Sequence, residues 1–255
     1  MNNSLLNVTR LTMRFGGLLA IDNVGFDVKN NEIFSVIGPN GAGKTTVFNC
    51  ISGFYKPNFG SIFIGKNNIT GKANYKIARY GLVRTFQNIR LFKKLTSLEN
   101  LLIAQHMHIE SRILYGLLNL KSYRLSEKKA LINAKNWLNL VGLTDLANRE
   151  AGSLAYGHQK QLEIARCMIT NPKLLMLDEP AAGLNPYEKN DLQKLIHKLR
   201  CDHNVTILLI EHDMSLIMNV SDRILVMENG RSLVIGSPKQ IRNNQLVIKA
   251  YLGDE

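Results

Sequence analysis

The chain has 255 residues, 45% of them hydrophobic and 20% charged. That usage excludes disordered and collagen-like architectures and suffices for one α/β domain or a core with an added lobe. Its 32 Lys and Arg outnumber 20 Asp and Glu, leaving a net charge of +12, which points to nucleotide, nucleic acid or an anionic membrane surface without choosing among them. No apolar run approaches the roughly 18 residues of a membrane span. The opening MNNSLLNVTR has no basic stretch followed by a long apolar one, so a cytosolic chain is expected. The three cysteines, Cys50, Cys167 and Cys201, are scattered. They form neither a disulfide framework nor a metal-ligand pair, and are expected to be small buried hydrophobes.

In chain order, apolar and polar positions alternate in short bursts over the first thirty residues, at Leu6 and Val8 and again at Ile21, Val24, Phe26 and Val28, which predicts β-strands. Residues 32–37 form a compact apolar run, the pattern of a strand buried on both faces. A Gly-rich turn follows, then a helix over 45–52 ending at Gly53. Residues 54–71 read as turns around a strand at 61–64.

Thr96 and Glu99 have capping-box spacing and open a helix, after which residues 100–147 are mostly helix formers. Trp137, Leu138, Leu140 and Val141 mark an apolar face near the end of that stretch, which predicts a helical lobe inserted into an α/β core. After 150 the pattern alternates: helix 158–169, strand 173–177, helix 187–200, strand 205–210, helix 213–219, strand 223–227. Such alternation predicts a largely parallel sheet. Ser237 and Pro238 stand at cap and first-turn positions of a last helix reaching towards Tyr251.

Gly38, Pro39, Asn40, Gly41, Ala42, Gly43, Lys44 and Thr45 match G-x-x-x-x-G-K-[ST] in full, between an expected strand and an expected helix. Glycines let consecutive N–H groups curl around an anion, and the helix adds its dipole and unpaired N–H groups. Lys44 supplies a point charge to the outer phosphates and Thr45 a hydroxyl suited to Mg²⁺, so the motif implies a nucleoside triphosphate site.

A second apolar strand ends in Asp178 and Glu179, at the sheet edge where α/β ligands bind. Successive strand residues point to opposite faces, which assigns the two acids different work. Asp178 is placed to hold Mg²⁺ directly or through water, and Glu179 to polarise an attacking water. His212, at the same end of the following strand, is placed for a γ-phosphate contact. A further Gly-containing turn around Gly157 opens another helix start suited to an anion, and Gln87 by itself reads as a surface amide.

In this order the motifs resemble the ATP-binding cassette (ABC) family, across essentially the whole chain. The resemblance implies an α/β fold: a P-loop NTPase core with a mainly parallel sheet, an N-terminal antiparallel β subdomain and an inserted helical subdomain. Residues 1–87 and 151–255 would form the core and 88–150 the insertion. It also implies ATP hydrolysis with Mg²⁺. Phe15 would stack on adenine and Thr46 would join the phosphate loop; Gln87 would act beside Thr45 and Asp178 at the metal. Leu154, Ala155, Tyr156, Gly157, His158 and Gln159 correspond to the family signature, facing the nucleotide of a second ATPase subunit in a head-to-tail dimer. That second subunit is either another copy or a paralogue. Glu179, His212 and Gln87 would be the catalytic set. The usual signature is LSGGQ; here Ala155, Tyr156 and His158 replace serine, the first glycine and glutamine, and Ala182 and Asn185 replace the usual serine and aspartate of the next loop.

LAYG, EPAAGLNP and VRTFQ are similar to the ATPases of branched-chain amino-acid importers. Relatives in the same branch serve urea or short-amide import and lipopolysaccharide export. Transmembrane permease subunits, and indirectly an extracytoplasmic solute-binding protein, would be the partners, on the inner face of the cytoplasmic membrane. Soluble nucleic-acid- or ribosome-associated cassettes usually carry two cassettes in one chain. This one has a single phosphate loop and a single signature, so no nucleic acid is expected. A phosphotransferase is disfavoured because the carboxylate beside the Mg²⁺-side acid suits water as acceptor. Arg84, Arg90, Lys93, Lys94, Lys121, Arg124, Lys128, Lys129 and Lys135 hold a large basic share, facing either the anionic leaflet around the permease or simply solvent.

Overall fold

Two compact units make up the chain, Met1–Gln87 with Lys173–Glu255, and Asn88–Pro172; a computed structural model describes residues 4–105 and 121–252. The alternation at the start of the first unit resolves into one hairpin. β1 (Ser4–Phe15) and β2 (Leu18–Lys29) pair antiparallel across Gly16 and Gly17. The alternation is broken into bursts because the hairpin is bulged. Leu6, Val8 and Leu11 are all buried, so period two fails between 8 and 11. There the register shifts and Arg10 adopts a left-handed φ of 48°.

β3 (Ile33–Ile37) belongs to a second sheet. β4 (Phe59–Ile64) and β5 (Asn67–Asn68) complete the first, in the order β2-β1-β4-β5. The second sheet also contains β6 (Leu82–Arg84), β7 (Leu174–Asp178), β8 (Thr206–Ile210), β9 (Arg223–Glu228) and β10 (Arg231–Gly236). Its order is β10-β9-β3-β8-β7-β6, parallel except for the antiparallel edge strand β10. Every residue of β3, β7 and β8 is buried, which accounts for their predominantly apolar character.

α1 (Lys44–Ile51) puts Val47, Phe48 and Ile51 into one core with Leu6 and Val8 of the first sheet and Phe34, Met176 and Leu208 of the second. Gly53, at φ 78°, ends it as expected. α2 (Asn74–Ala78), β6 and β10 have no counterpart in the sequence reading. Elements of three to six residues, half-exposed or at an edge, carry too few positions to show a period.

The second unit begins with α3 (Ser97–Gln105), opened by the expected capping box: Thr96 N donates to Glu99 Oε2 at 2.7 Å and Glu99 N to Thr96 Oγ1 at 3.2 Å. α4 (Lys121–Leu140) buries Ala134, Trp137 and Leu138, and Val141 just beyond it; Leu140 is half-buried. Residues 106–120 of the expected helical stretch, and the side chains of Lys121 and Arg124, lie outside the described residues. Arg90, Lys93, Lys94, Lys128, Lys129 and Lys135 are exposed. α5 (Tyr156–Met168) packs with α3 and α4, so this unit runs to Pro172 and not to 150. The sequence assigned α5 to the core because it falls in an alternating series of helices and strands. Periodicity cannot say which neighbour a helix covers.

Back in the first unit, α6 (Pro186–His203) starts at a second capping box. Asn185 N donates to Glu188 Oε2 at 2.9 Å and Glu188 N to Asn185 Oδ1 at 3.0 Å, and Asn204 ends the helix in a left-handed conformation. α7 (Met214–Val220) is capped by the Asp213 carboxylate. The single last helix expected from 237 is two: α8 (Pro238–Arg242) and α9 (Gln245–Leu252). Asn244 breaks it by turning its side chain to accept from Leu246 N at 2.9 Å, capping the second piece. α7, α8 and α9 close a smaller core of Ile217, Ile241 and Val247 against Ile37, Ile224 and Val226. Cys50 and Cys167 are buried, and burial pushes both thiols up to about 12. Cys201, expected inside, is exposed on α6.

Leu208, fully buried in β8, should cost about 2–5 kcal/mol when replaced by alanine. Asn185→Ala should cost only about 1 kcal/mol, the worth of one cap. Urea unfolding of the two variants checks the order.

Candidate functional site

The site is assembled at the carboxyl ends of β3, β7 and β8. After β3 the chain enters the loop at Gly38, whose φ is 150°; a Cβ there would lie 2.1 Å from the carbonyl oxygen of Met227. Gly43 caps α1 at φ 93°, and a Cβ would come within 2.7 Å of the Ala20 carbonyl oxygen. Both positions admit only glycine. The first turn of α1 therefore begins without a side-chain cap, and its N–H groups have no carbonyl partner within the helix.

Lys44 is buried and folds back on its own loop: Nζ donates to Gly38 O at 2.7 Å and to Pro39 O at 2.9 Å. Burial holds its pKa below the ordinary lysine value, partly offset by the charge of Glu179. A cleft of about 500 Å³ opens on this loop, lined by Asn40, Gly41, Gly43, Lys44, Thr45 and Thr46. Phe15, Glu179, His212 and Gly230 are among the residues of its other walls. Gly38, Pro39 and Ala42 shape the loop from behind, with Ala42 N donating to Pro39 O at 3.2 Å. Phe15 packs edge-to-face on Tyr55, ring centroids 5.2 Å apart.

Glu179 is where the expected catalytic residues meet. His212 Nε2 donates to Glu179 Oε1 at 2.9 Å, and Gln87 Nε2 to Oε2 at 3.1 Å. Asp178 behaves differently. It is the last residue of β7, buried, and its Oδ2 is ion-paired with Arg84. The two acids do diverge, but strand alternation is not the cause: Glu179 lies beyond the strand in a left-handed conformation at φ 48°, which turns it into the cleft.

Two functional groups escaped the sequence reading. Arg84, counted there among the surface cations, has a side chain only 6% exposed. Glu211 is a buried acid whose Oε1 accepts from Ala181 N at 2.6 Å and whose Oε2 accepts from His212 N at 2.9 Å, tying the chain after Glu179 to the histidine loop. A carboxylate directly after the apolar run 207–210 of β8 is the available signal for it.

The signature residues belong to the second unit. Leu154 is buried, Ala155 is the N-cap of α5 without a capping side chain, and Tyr156, Gly157, His158 and Gln159 form its first turn. Gln159 Nε2 turns back to donate to Leu154 O at 2.8 Å, and Lys160 Nζ lies 5.7 Å from the centroid of the exposed Tyr156 ring.

A family model described as ABC transporter matches residues 21–182, and one described as branched-chain amino acid ATP-binding cassette transporter matches residues 233–255. Over 254 residues, covering all of both chains, the protein is 58% identical to the high-affinity branched-chain amino acid transport ATP-binding protein BraF of Pseudomonas aeruginosa. Identity to the protein of the same description, LivG, of Escherichia coli K12 is 56% over the same span. Among solved structures, the ADP conformation of MJ1267, an ATP-binding cassette of an ABC transporter, matches with a TM-score of 0.84 and 32% identity, over 98% of this chain and 99% of that one. With a family model over more than half its length and full-length relatives of this similarity, the chain belongs to the ABC transporter family of ATP-binding cassettes.

Proposed function

We propose that the chain is the ATP-hydrolysing subunit of an importer that carries leucine, isoleucine and valine across the cytoplasmic membrane, working from its inner face. The observation that carries the ATPase reading is the Glu179 carboxylate, held between His212 and Gln87 in a cleft floored by the phosphate loop. The solute rests on the two full-length relatives and on the match at 233–255.

ATP fits the cleft by chemistry. The uncapped first turn of α1 offers N–H groups to phosphate oxygens. Lys44 exchanges its two loop carbonyls for the outer phosphates, and Phe15 stacks on the base. Glu179 accepts a proton from the attacking water, with His212 fixing the carboxylate from one side and Gln87 from the other. Mg²⁺ fits the residues present: the Thr45 hydroxyl opens α1, Asp178 ends β7 and Gln87 adds an amide oxygen. Such a set, one carboxylate beside neutral oxygens and the substrate's own phosphates, suits an ion that keeps several waters. Among the described residues no cluster of three or more His, Cys, Asp or Glu forms a protein-only metal cage. When bound, Mg²⁺ supplies charge neutralisation on the phosphates.

The signature from Leu154 to Gln159 closes on the nucleotide of a second ATPase subunit, another copy or a paralogue, in a head-to-tail dimer. The helical unit that begins at Asn88 meets the permease, with Gln87 reporting the state of the site to it, and a solute-binding protein acts from the far side of the membrane. Among the described residues no helix is long and apolar enough to cross a membrane, in keeping with anchorage through the permease.

Glu179→Gln should retain ATP binding and lower hydrolysis by about 10²–10⁴-fold, trapping a closed dimer; phosphate release beside equilibrium nucleotide binding measures both, and undiminished hydrolysis removes Glu179 from the catalytic role. Co-purified with its permease, the protein should show ATPase activity stimulated by solute-binding protein loaded with leucine, isoleucine or valine. Stimulation by another solute alone overturns the substrate.

A further inference from the structure

The cation nearest Asp178 belongs to the protein itself. Arg84 ends β6, in parallel register with Met176 of β7. One arm of its guanidinium donates to Asp178 Oδ2 at 2.5 Å. The other donates to Asn49 Oδ1 at 2.7 Å and Ser52 Oγ at 2.8 Å, at the far end of the helix that the phosphate loop opens. Ser52 Oγ spends its own proton on Phe48 O at 2.6 Å, so it offers Arg84 a lone pair. The rings of Phe48, Phe54 and Phe86 surround the guanidinium, centroids 5.3–5.9 Å from its carbon. This cation is clamped from several directions and presents a single arm to the acid.

Asp178 divides its oxygens accordingly. Oδ2 is taken by Arg84, the backbone N–H of Asp178 goes to Thr85 Oγ1 at 3.3 Å, and among the described residues no donor reaches Oδ1. A buried carboxylate needs a counter-charge or several hydrogen-bond donors, and Arg84 supplies the charge before any metal arrives. The divalent ion assigned to Asp178 has the same sign as Arg84 and must share one carboxylate with it.

We propose that Arg84 is a positioning residue and resident counter-ion: it holds Asp178 by Oδ2, leaving Oδ1 without a donor among the described residues, and its charge keeps the acid's affinity for a divalent cation low. The cation then settles only together with the phosphates that help to hold it. This rests on the reading of Asp178 as the acid on the cation's side.

The test is Mn²⁺ binding to the full chain with ADP present, followed by the spin-resonance signal of free Mn²⁺. Arg84→Gln keeps a donor and removes the charge, and should bind Mn²⁺ about tenfold more tightly while melting at a lower temperature without ligand. Arg84→Lys keeps the charge and should stay close to the wild type. Equal Mn²⁺ affinity in the two variants, or weaker binding in a folded Arg84→Gln, overturns the proposal. Should Arg84→Gln fail to fold, Asn49→Ala loosens one anchor of the guanidinium, and Mn²⁺ binding should tighten about twofold; no change overturns it. Asp178→Asn separates the two levels: if it binds Mn²⁺ like the wild type, the reading of Asp178 fails and the role of Arg84 with it. If it binds weakly, the Arg84 variants alone decide.

Discussion

Three neighbouring strands without a single exposed residue constrain everything else in the first unit. β3, β7 and β8 are covered on both faces, so the few polar side chains within them, such as Ser35 and Thr206, are spent on buried hydrogen bonds. Chemistry is confined to where the strands end. Register decides what meets there: Ile210 stands opposite both Val36 and Asp178. The loop at Gly38, the acid at Glu179 and the pair Glu211–His212 are thereby delivered to one edge. Had β7 slipped against β8 by two residues, the histidine would miss the carboxylate it now meets at 2.9 Å.

At that edge each ionised group already has a partner. Lys44 borrows the carbonyl oxygens of its own loop, Glu179 is shared by an imidazole and an amide, Glu211 is satisfied by backbone N–H groups, and Asp178 holds Arg84. The partners differ in how readily they give way. A carbonyl facing Lys44 carries no net charge, so phosphate oxygens displace it at little cost. Arg84 is held in place by three aromatic rings and two anchors, Asn49 in α1 and Ser52 just beyond it. The loop is thus built to exchange partners, and the cation side is built to keep one.

Most of this was legible in the residues because the decisive patterns are local. The phosphate loop, the apolar run ending in Asp178 and Glu179, and the capping box at Thr96 and Glu99 are fixed by spacings of a few positions. Long-range partners were not legible. Arg84 reads as one more surface cation, since nothing in VRTFQ announces that its side chain crosses to a strand ninety residues later. The place of α5 in the second unit is hidden for the same reason: an amphipathic helix states that it covers something, not what. The split tail and the missed β10 reflect weak local signals, an Asn243-Asn244 step within apparent helix and an edge strand with little to bury.

The departures from the usual family motifs separate on what a helix N-terminus requires. Asn185 replaces an aspartate, yet it caps α6 with a reciprocal hydrogen-bond pair, and asparagine is as good an acceptor there as aspartate. One negative charge is lost and the helix start is unchanged. Ala155 replaces a serine at the N-cap of α5, and no side chain takes over the cap. A serine there would both close the helix and offer a hydroxyl; alanine does neither, at a cost of about 1 kcal/mol to the helix. Its first-turn N–H groups are left without that competitor, so in the proposed dimer the backbone of α5 itself, more than any side chain at 155, is what meets the partner's phosphates.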